Sequence, residues 1–383
     1  MQRPPSEDDP AALNALLEEF RRFGRHEIPP QGSAVYAALC EALADDPHRA
    51  ALALAARPAF RGPLILLAAV HHLLLSGVPA PLAAYYPSVA GDAARPVDGG
   101  LYPAFAAFVD EHRDEVLRLV ATRSTQTNEA RRTVVTLPAL GLVHQRDRRP
   151  LALLEVGASA GLCLLPDRYG YRIGALVAGD PASPVQVDCE VRGDLVPPVP
   201  PVVPPIAWRL GVDLNPLDVR DPDTRGWLRA LVWPEHRDRL ALLDAALGVA
   251  GHDPPAVTRG DLVDDLPRLV ARAPHDAILV VTSTWTLAYL DPEERLAFID
   301  GLGREAASAR RDIWLVAGEG RSVLASLELG VAEAPADGSY GGSMLSLHRF
   351  GADGRTEHRL LAETHPHGRW IRWLDQSTAG RRA

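Results

Sequence analysis

Apolar residues recur at helical spacing throughout the first third of the chain. Two stretches show the spacing clearly, and they contain Leu13, Leu16, Leu17, Phe20 and Phe23, and Phe105, Phe108, Val109, Val116 and Val120. A repeat of three or four residues places such side chains on one face of an α-helix. Pro29 and Pro30, and a Gly- and Pro-containing run at 86–103, mark loops. We therefore predict a helical domain over residues 1–149.

The pattern changes after Pro150, where short apolar runs begin to alternate with helical stretches. The run 151–156 leads into a glycine-containing turn at 157–161 and then into a stretch of helical spacing. Further strand-like runs lie at 208–213, 256–259, 277–282 and 313–317, and helical patterns lie at 224–231, 239–247, 262–272, 293–302 and from Ser322 onward. This alternation predicts a mostly parallel sheet that is covered on both faces.

Two segments depart from the alternation. Runs at 343–350 and 355–363 are joined by Gly351-Ala352-Asp353-Gly354, which predicts an antiparallel hairpin near the C-terminus. Residues 169–206 form an insertion of short alternating runs followed by many prolines. Because proline cannot donate a hydrogen bond within a sheet, we predict a β-rich flap with a stiff loop.

Length and composition agree with two folded domains. Single cores stop growing near ~250–300 residues, whereas this chain has 383 residues. Its hydrophobic fraction of 47% and charged fraction of 23% are typical of a globular protein. The fold class is therefore α/β, with the helical domain at 1–149 followed by a Rossmann-like domain at 150–376. A flexible tail is expected at 377–383.

Charge and residue usage exclude several classes of function. The net charge is −9 and no basic stripe is present, so a small-molecule substrate is favoured over a nucleic acid. The chain has no lysine, which excludes a Walker A phosphate loop and a pyridoxal-phosphate Schiff base. Cys40, Cys163 and Cys189 lie far apart, and His71 and His72 are adjacent on one predicted helix. We therefore expect neither a disulfide framework nor a metal site.

Membrane contact is not expected either. Residues 1–10 lack the basic stretch and the apolar run of a secretory signal. The most apolar segment, 64–75, is too short to span a bilayer. We therefore expect a cytoplasmic protein.

Candidate binding residues lie where the predicted strands end. In an open parallel sheet, ligands bind beyond the carboxyl ends of the strands. Glu155 closes the first strand, and the glycines that follow let the backbone turn tightly and approach a ligand, with a helix N-terminus facing the site. Asp213 ends the second strand, where a carboxylate can accept hydrogen bonds from two ribose hydroxyls. Asp261 follows the third strand, where it can accept from an adenine amino group, and Ser283 follows the fourth.

This succession resembles the first three motifs of the class I methyltransferases, which are represented here by Glu155-Val156-Gly157-Ala158-Ser159-Ala160-Gly161, Asp213 and Asp261. The resemblance covers residues 151–373 and implies S-adenosylmethionine as the cofactor. It also implies methyl transfer to a small molecule by in-line positioning. The implied cofactor contacts are Glu155, Gly157, Ser159, Gly161, Asp213, Asp261, Leu262 and Ser283. Ser159 departs from the pattern, because many of these enzymes have a middle glycine there.

A closer resemblance rests on four segments taken together. They are Thr125-Gln126-Thr127-Asn128-Glu129, the turn Glu155 to Gly161, Gly211-Val212-Asp213-Leu214-Asn215-Pro216-Leu217-Asp218, and Val232-Trp233-Pro234-Glu235. These segments are similar to an uncharacterised bacterial family, domain of unknown function 2332. That family is methyltransferase-like in fold, so the resemblance implies a cofactor more firmly than a substrate.

The polar run at 125–129 is a candidate for the substrate side of the site. A helix cap would use only Thr127. Gln126, Asn128 and Glu129 add amide and carboxylate groups that one cap does not need. We therefore predict that these three residues line a substrate pocket, with Glu129 as a base or orienting group.

Aromatic and histidine side chains provide further candidates. Trp285 and Tyr289 follow the fourth strand and are predicted to face the sulfonium or the substrate by cation–π attraction. His365 and His367 follow the last strand, from which either can reach the same cleft. The alternatives are that the aromatic residues belong to the core and that the histidines are solvated turn residues.

Three other functions stay open. The turn also fits the G-x-S-x-G pattern of a hydrolase, with Ser159 as nucleophile and His365 or His367 as base, although the helical segments before residue 151 are unlike that fold. A dehydrogenase would need its ribose-binding acid about 20 residues after the glycines, where Asp180 lies inside the irregular insertion. The third alternative is a nucleoside-binding protein without catalysis.

Overall fold

A computed structural model describes residues 10–327, 329, 342–378 and 380–381. The chain forms two compact units. The first comprises Met1–Thr127 and Asp221–Asp244, and the second comprises Asn128–Arg220 and Ala245–Ala383. Each unit is therefore assembled from two separate segments of the chain.

The α-helices of the described residues are spread over both units. In chain order they are α1 (Pro10–Arg22), α2 (Ala34–Leu43), α3 (Pro47–Ala50), α4 (Pro63–Leu75), α5 (Pro87–Ala90), α6 (Leu101–Glu111), α7 (Arg113–Thr122), α8 (Thr133–Arg146), α9 (Pro222–Ala230), α10 (Arg237–His252), α11 (Leu266–Val270), α12 (Pro292–Ser308) and α13 (Arg321–Ala325). Among the described residues, none of these helices is long and apolar enough to cross a membrane.

The first unit is helical, as the apolar spacing predicts. Phe20, Phe105 and Val116, which carry that spacing in three of its helices, are fully buried. Helix α4 packs against α7 and α9 and buries most of its residues. It has apolar residues on nearly every face, as expected of a helix enclosed by others.

Within the described residues, the second unit contains an eleven-stranded sheet and a separate two-stranded sheet. The strands are β1 (Leu151–Val156), β2 (Gly170–Ile173), β3 (Leu176–Gly179), β4 (Gln186–Arg192), β5 (Leu195–Val196), β6 (Ile206–Asp213), β7 (Val257–Arg259), β8 (Ile278–Thr284), β9 (Ile313–Gly320), β10 (Ser343–Phe350), β11 (Thr356–Thr364), β12 (Trp370–Trp373) and β13 (Gly380–Arg381). The order across the large sheet is β3-β2-β4-β12-β11-β10-β9-β8-β1-β6-β7.

Five consecutive strands of this sheet are parallel, in the order β7-β6-β1-β8-β9. The chain moves outward from β1 through β6 to β7, then crosses back to β8 and continues to β9. The direction in which successive strands are added across the sheet therefore reverses between β1 and β8. All six residues of β1 are buried, as expected for a central strand with both faces covered. The fold is a mixed α/β fold with a large, mostly parallel sheet.

Helices cover the parallel strands. Phe298 and Leu302 of α12 join Leu154, Val281 and Leu315 in one continuous core on one face. Helix α12 begins with a capping box, in which Asp291 accepts from the Glu294 N–H and Glu294 accepts from the Asp291 N–H. This reciprocal pairing satisfies two backbone donors at the helix start. Helix α8 contacts β9 and β10.

The predicted helix after the glycine turn is absent, which corrects the expectation of a helix N-terminus at the site. Two short 3-10 turns, Leu162–Leu164 and Pro166–Arg168, take its place. Pro166 has no N–H to donate to the Leu162 carbonyl, so an α-helix cannot continue through it. That carbonyl accepts from the Tyr169 hydroxyl at 2.8 Å instead.

The insertion contains the expected strands but extends the main sheet instead of forming a flap. β4 pairs with β12 in parallel, and β2 pairs with β4. β10 and β11 form the predicted antiparallel hairpin. Within the predicted tail, Gly380–Arg381 pairs with β5, whereas residues 379, 382 and 383 lie outside the described residues.

Candidate functional site

Residues predicted from the strand ends gather at one edge of the second unit's sheet. Because β1, β6, β8 and β9 run parallel, their carboxyl ends lie at the same edge, where ligands bind in open sheets. Glu155, Asp213 and Ser283 are all buried at this edge. Burial of two acidic side chains side by side is uncommon unless hydrogen bonds or function require it.

The turn after β1 has positive φ at three positions. The φ angle is +67° at Gly157, 53° at Ser159 and +75° at Gly161. A Cβ atom makes this left-handed region unfavourable by about 1–2 kcal/mol per residue. The two glycines adopt it without that cost, whereas Ser159 is held there by its surroundings.

Asp213 anchors this turn. Its Oδ2 accepts a hydrogen bond from the Ser159 N–H at 2.8 Å, and its Oδ1 accepts from the Asn215 N–H at 2.7 Å. Asp213 therefore fixes the turn from the end of β6, the strand end on which its predicted role as a ribose ligand is based.

Asn128 holds the same turn from the other side. Its Nδ2 donates to the Ala158 carbonyl at 3.3 Å, and its Oδ1 accepts from the Leu162 N–H at 2.9 Å. These bonds engage both ends of the amide. Asn128, which was predicted to line a substrate pocket, therefore stabilises the conformation of the glycine turn.

Protein side chains occupy the space beside the two glycines where a Cβ atom would lie. A Cβ at Gly157 would lie 2.2 Å from Oγ1 of Thr286, and one at Gly161 would lie 2.7 Å from Cγ of Pro255. The Thr286 hydroxyl donates to the Val156 carbonyl at 3.0 Å, which locks this side chain against the turn. The contacts with Thr286 and Pro255 explain why residues without a Cβ stand at these two positions.

Glu155 is a buried acid, and one of its carboxyl oxygens makes no hydrogen bond to the described protein atoms. It is 3% exposed, and its Oε2 has no hydrogen-bond partner among the described residues. Burial raises the pKa of Glu155 to about 8, against the lowering effect of the Arg132 charge. The side chain is therefore mainly protonated at neutral pH and can donate a hydrogen bond.

Arg132 connects the elements around Glu155. Its Nη1 donates to the Thr284 carbonyl at 3.2 Å, and its Nε donates to the Pro366 carbonyl at 3.1 Å. The latter bond brings the loop after β11 beside Glu129, whose Oε2 lies 4.0 Å from Nδ1 of His367. Two of the predicted substrate-side residues, Glu129 and His367, therefore lie next to each other.

The chain matches, over residues 17–373, the model of a family described as an uncharacterized protein conserved in bacteria, DUF2332. It belongs to this family. A search of the curated proteins finds no match. The match covers the turn, Asp213 and the Arg132 cluster, so the candidate site lies within the region that defines the family.

Glu319, at the end of β9, is a buried acid that the sequence patterns did not predict. It is fully buried, and its Oε1 accepts from the Ser283 hydroxyl at 2.6 Å and from the N–H groups of Thr286 and Leu287 at 3.0 and 3.2 Å. The proton of the Ser283 hydroxyl is therefore donated to Glu319. Glu319 fixes the backbone immediately after β8, where Trp285 lies.

Trp285 and Tyr289 differ in their surroundings. Trp285 has φ 59°, and its buried Nε1 has no partner within the described part of the chain. A bulky residue at positive φ is uncommon and needs strong support from neighbouring groups. Tyr289 is 65% exposed. Trp285 is thus the better candidate for a ligand contact.

Other predicted residues have structural partners or lie elsewhere. Asp261 Oδ1 accepts from the Val263 and Asp264 N–H groups at 2.7 and 3.1 Å, which closes a turn before α11. Leu262 packs against the core of the sheet. The His365 ring accepts from the His367 N–H at 3.0 Å. Gln126 belongs to the first compact unit.

No metal site is found in the part of the chain that the structure describes. No group of three or more His, Cys, Asp or Glu side chains there is arranged to hold an ion. Cys40, Cys163 and Cys189 are free thiols.

The strain at Ser159 predicts the effect of two substitutions. Ser159→Gly relieves the left-handed strain, and after the entropy that glycine adds to the unfolded chain we expect a gain of about 0.5–1 kcal/mol. Ser159→Ala keeps the Cβ and is expected to leave stability close to that of the wild type. Urea unfolding of both variants measures the difference, and a glycine variant less stable than the alanine variant contradicts this account.

Proposed function

We propose that the second unit binds S-adenosylmethionine at the glycine turn and transfers its methyl group to a small molecule. The observation that carries the proposal is the position of the Gly157–Gly161 turn. It follows the central strand, beside the point where the strand order reverses, and Asp213 closes the adjacent strand β6. Nucleotide-type ligands bind at such a reversal point in doubly wound sheets.

The parallel strands support a Rossmann-like arrangement. Numbered by their order along the chain, the five strands run 3-2-1-4-5 across the sheet. This matches the order found in doubly wound nucleotide-binding domains. The antiparallel strands β10 and β11 extend the sheet beyond β9.

The residues present fit a nucleoside cofactor with a sulfonium group. Asp213 places a carboxylate, the type of group that accepts from ribose hydroxyls, beside the turn, and Glu155 has a buried oxygen without a protein partner among the described residues. The indole of Trp285 provides an aromatic surface of the kind that attracts a cation. Glu129 and His367 are placed to orient an acceptor.

S-adenosylmethionine would supply an activated methyl group, so the chain's own residues need only bind and align the acceptor. In-line positioning of this kind supplies much of the rate in such transfers. Exclusion of water from the buried edge around Glu155 would protect the reacting groups from competing hydrolysis.

The Ser159 hydrolase is not favoured. A serine nucleophile needs a base within hydrogen-bond reach, and the Ser159 Oγ has no partner among the described residues. A protein that binds the cofactor without catalysis would use the same site, and turnover distinguishes the two.

Two alanine variants test the role assigned to Asp213. Asp213→Ala removes the hydrogen bonds from the Ser159 and Asn215 N–H groups. Asn128→Ala removes those with the Ala158 carbonyl and the Leu162 N–H, but only Asp213 is assigned a direct ribose contact. We expect Asp213→Ala to weaken S-adenosylhomocysteine binding by about 1–3 kcal/mol more than Asn128→Ala. Calorimetric titration of both variants measures this. Equal losses of affinity would mean that Asp213 affects ligand binding only by holding the turn and does not contact the ribose.

A further inference from the structure

The first unit contains a serine and a histidine in close hydrogen-bond contact. The Oγ of Ser88, in α5, lies 2.7 Å from Nε2 of His71, in α4. The other ring nitrogen, Nδ1 of His71, lies 3.0 Å from the Ala230 carbonyl. His71 is fully buried, whereas Ser88 is half-buried and its neighbour Val89 is exposed.

The Ala230 carbonyl fixes the tautomer of the His71 ring. A carbonyl oxygen only accepts, so Nδ1 must carry the proton that it donates to Ala230. Nε2 then has a lone pair and accepts from the Ser88 hydroxyl. The Ser88 proton is therefore already directed at a base whose orientation a third group holds, which is the arrangement that activates serine nucleophiles.

The groups around His71 and Ser88 bear on the charges that develop during such a reaction. Ala230 is the last residue of α9, and the C-terminal end of a helix stabilises a positive charge on a nearby imidazole. The Tyr86 ring lies 5.4 Å from the His71 ring, and its buried hydroxyl has no hydrogen-bond partner within the described residues. The Tyr86 hydroxyl therefore has a proton that no described protein group accepts.

We infer that Ser88 and His71 form a catalytic dyad that transfers and hydrolyses short, uncharged acyl groups. The aromatic rings of Tyr36 and Tyr86 beside His71 favour an uncharged acyl group over a charged one. The activity is independent of the cofactor site in the second unit.

The reaction balances with an ester and water. Ser88 Oγ attacks the ester carbonyl carbon, its proton moves to Nε2 of His71, and the ester C–O bond breaks. Nε2 passes this proton to the departing alcohol. Water then attacks the acyl–serine carbonyl in the same way, which releases the acid and restores the Ser88 hydroxyl.

The dyad has an unusual expected pH dependence. Burial lowers the pKa of His71 to about 4, against the raising effect of its hydrogen bond to the Ala230 carbonyl, and the charges of Arg229 and His72 lower it further by smaller amounts. The other titratable groups beside the ring are the hydroxyls of Tyr36 and Tyr86, both with pKa values raised by burial. His71 thus stays neutral in mildly acidic solution.

A fluorophosphonate probe on the full-length protein tests the inference, with the modified residue identified by peptide mass spectrometry. We expect labelling of Ser88 in the wild type and none in Ser88→Ala. Ser76→Ala is the matched control, because Ser76 ends the same helix as His71 but its hydroxyl donates to the His72 carbonyl. It is expected to be labelled at Ser88 as fast as the wild type.

Two rate measurements separate a dyad from a structural hydrogen bond. Folded His71→Gln is expected to react about 100-fold more slowly, as for loss of a general base. Labelling of the wild type is expected to change less than twofold between pH 7.5 and 5.5, whereas a base of ordinary histidine pKa would lose about tenfold. If His71→Gln does not fold, the presence or absence of labelling at Ser88 in the wild type still tests the inference.

The hydrolysis of p-nitrophenyl acetate tests Tyr86. Tyr86→Phe removes only the hydroxyl and is expected to slow turnover at least about tenfold. An absence of labelling at Ser88, or labelling that persists unchanged in folded His71→Gln, would overturn the dyad.

Discussion

Gly157→Ala is expected to lower the free energy of unfolding by about 2–5 kcal/mol, the sum of a left-handed alanine and an overpacked contact. The added Cβ would lie 2.2 Å from Oγ1 and 2.4 Å from Cγ2 of Thr286. Thr286 cannot withdraw freely, because its hydroxyl donates to the Val156 carbonyl and its N–H donates to Glu319. In the variant, the added Cβ therefore strains the glycine turn, β1 and the segment that follows β8.

Gly354→Ala is the matched control for this substitution. Gly354 has φ +76°, but no described atom lies within 4 Å of the position that an added Cβ would occupy. Only the left-handed conformation is then unfavourable, by about 1–2 kcal/mol. Urea unfolding of both variants isolates the contribution of the contact with Thr286, and equal losses of stability would show that this contact is not close in solution.

Glu155→Gln is expected to gain stability relative to the wild type as the pH rises. Burial raises the pKa of Glu155 from 4.5 to about 8. Between these values the folded protein keeps a proton that the unfolded chain releases, so the contribution of Glu155 to stability is complete below 4.5 and is lost as the pH rises through 8. Glutamine has the same shape and does not titrate.

The pH dependence of the difference in unfolding free energy between the two proteins therefore reports the titration of Glu155 alone. From pH 5.5 to 8.5 we expect it to shift by about 3 kcal/mol in favour of Glu155→Gln, from 1.36 kcal/mol for each pKa unit. Urea unfolding across this range gives the shift, because other titrating groups are common to both proteins. A difference that is constant with pH, or that shifts in favour of the wild type, would show that Glu155 is ionised when folded.

Local sequence patterns predicted most strands of the sheet, because each apolar run records burial on both faces. They did not predict which partner a helix packs against. Helix α9 lies between two strands of the sheet in sequence, yet its Trp227 donates to the Ser124 carbonyl in the first unit, 103 residues away. An amphipathic pattern shows that a face is buried but not what buries it.

Residues of the candidate site were predicted at those strands whose ends were predicted correctly. Glu155 and Asp213 follow from that rule, whereas Glu319 was missed because β9 was expected to end at Ala317 and continues to Gly320. Arg132 was missed for a different reason. Its partners, the Thr284 and Pro366 carbonyls, lie 152 and 234 residues away in the chain, so no local spacing indicates the contact.

Calorimetric titration of the wild-type protein with S-adenosylhomocysteine tests the central claim most directly. We expect one binding site per chain and a rise in melting temperature with ligand concentration, because a ligand selective for the folded state stabilises it by mass action. S-adenosylmethionine is expected to compete for the same site. The absence of both heat and a thermal shift with either compound at millimolar concentration would contradict the account.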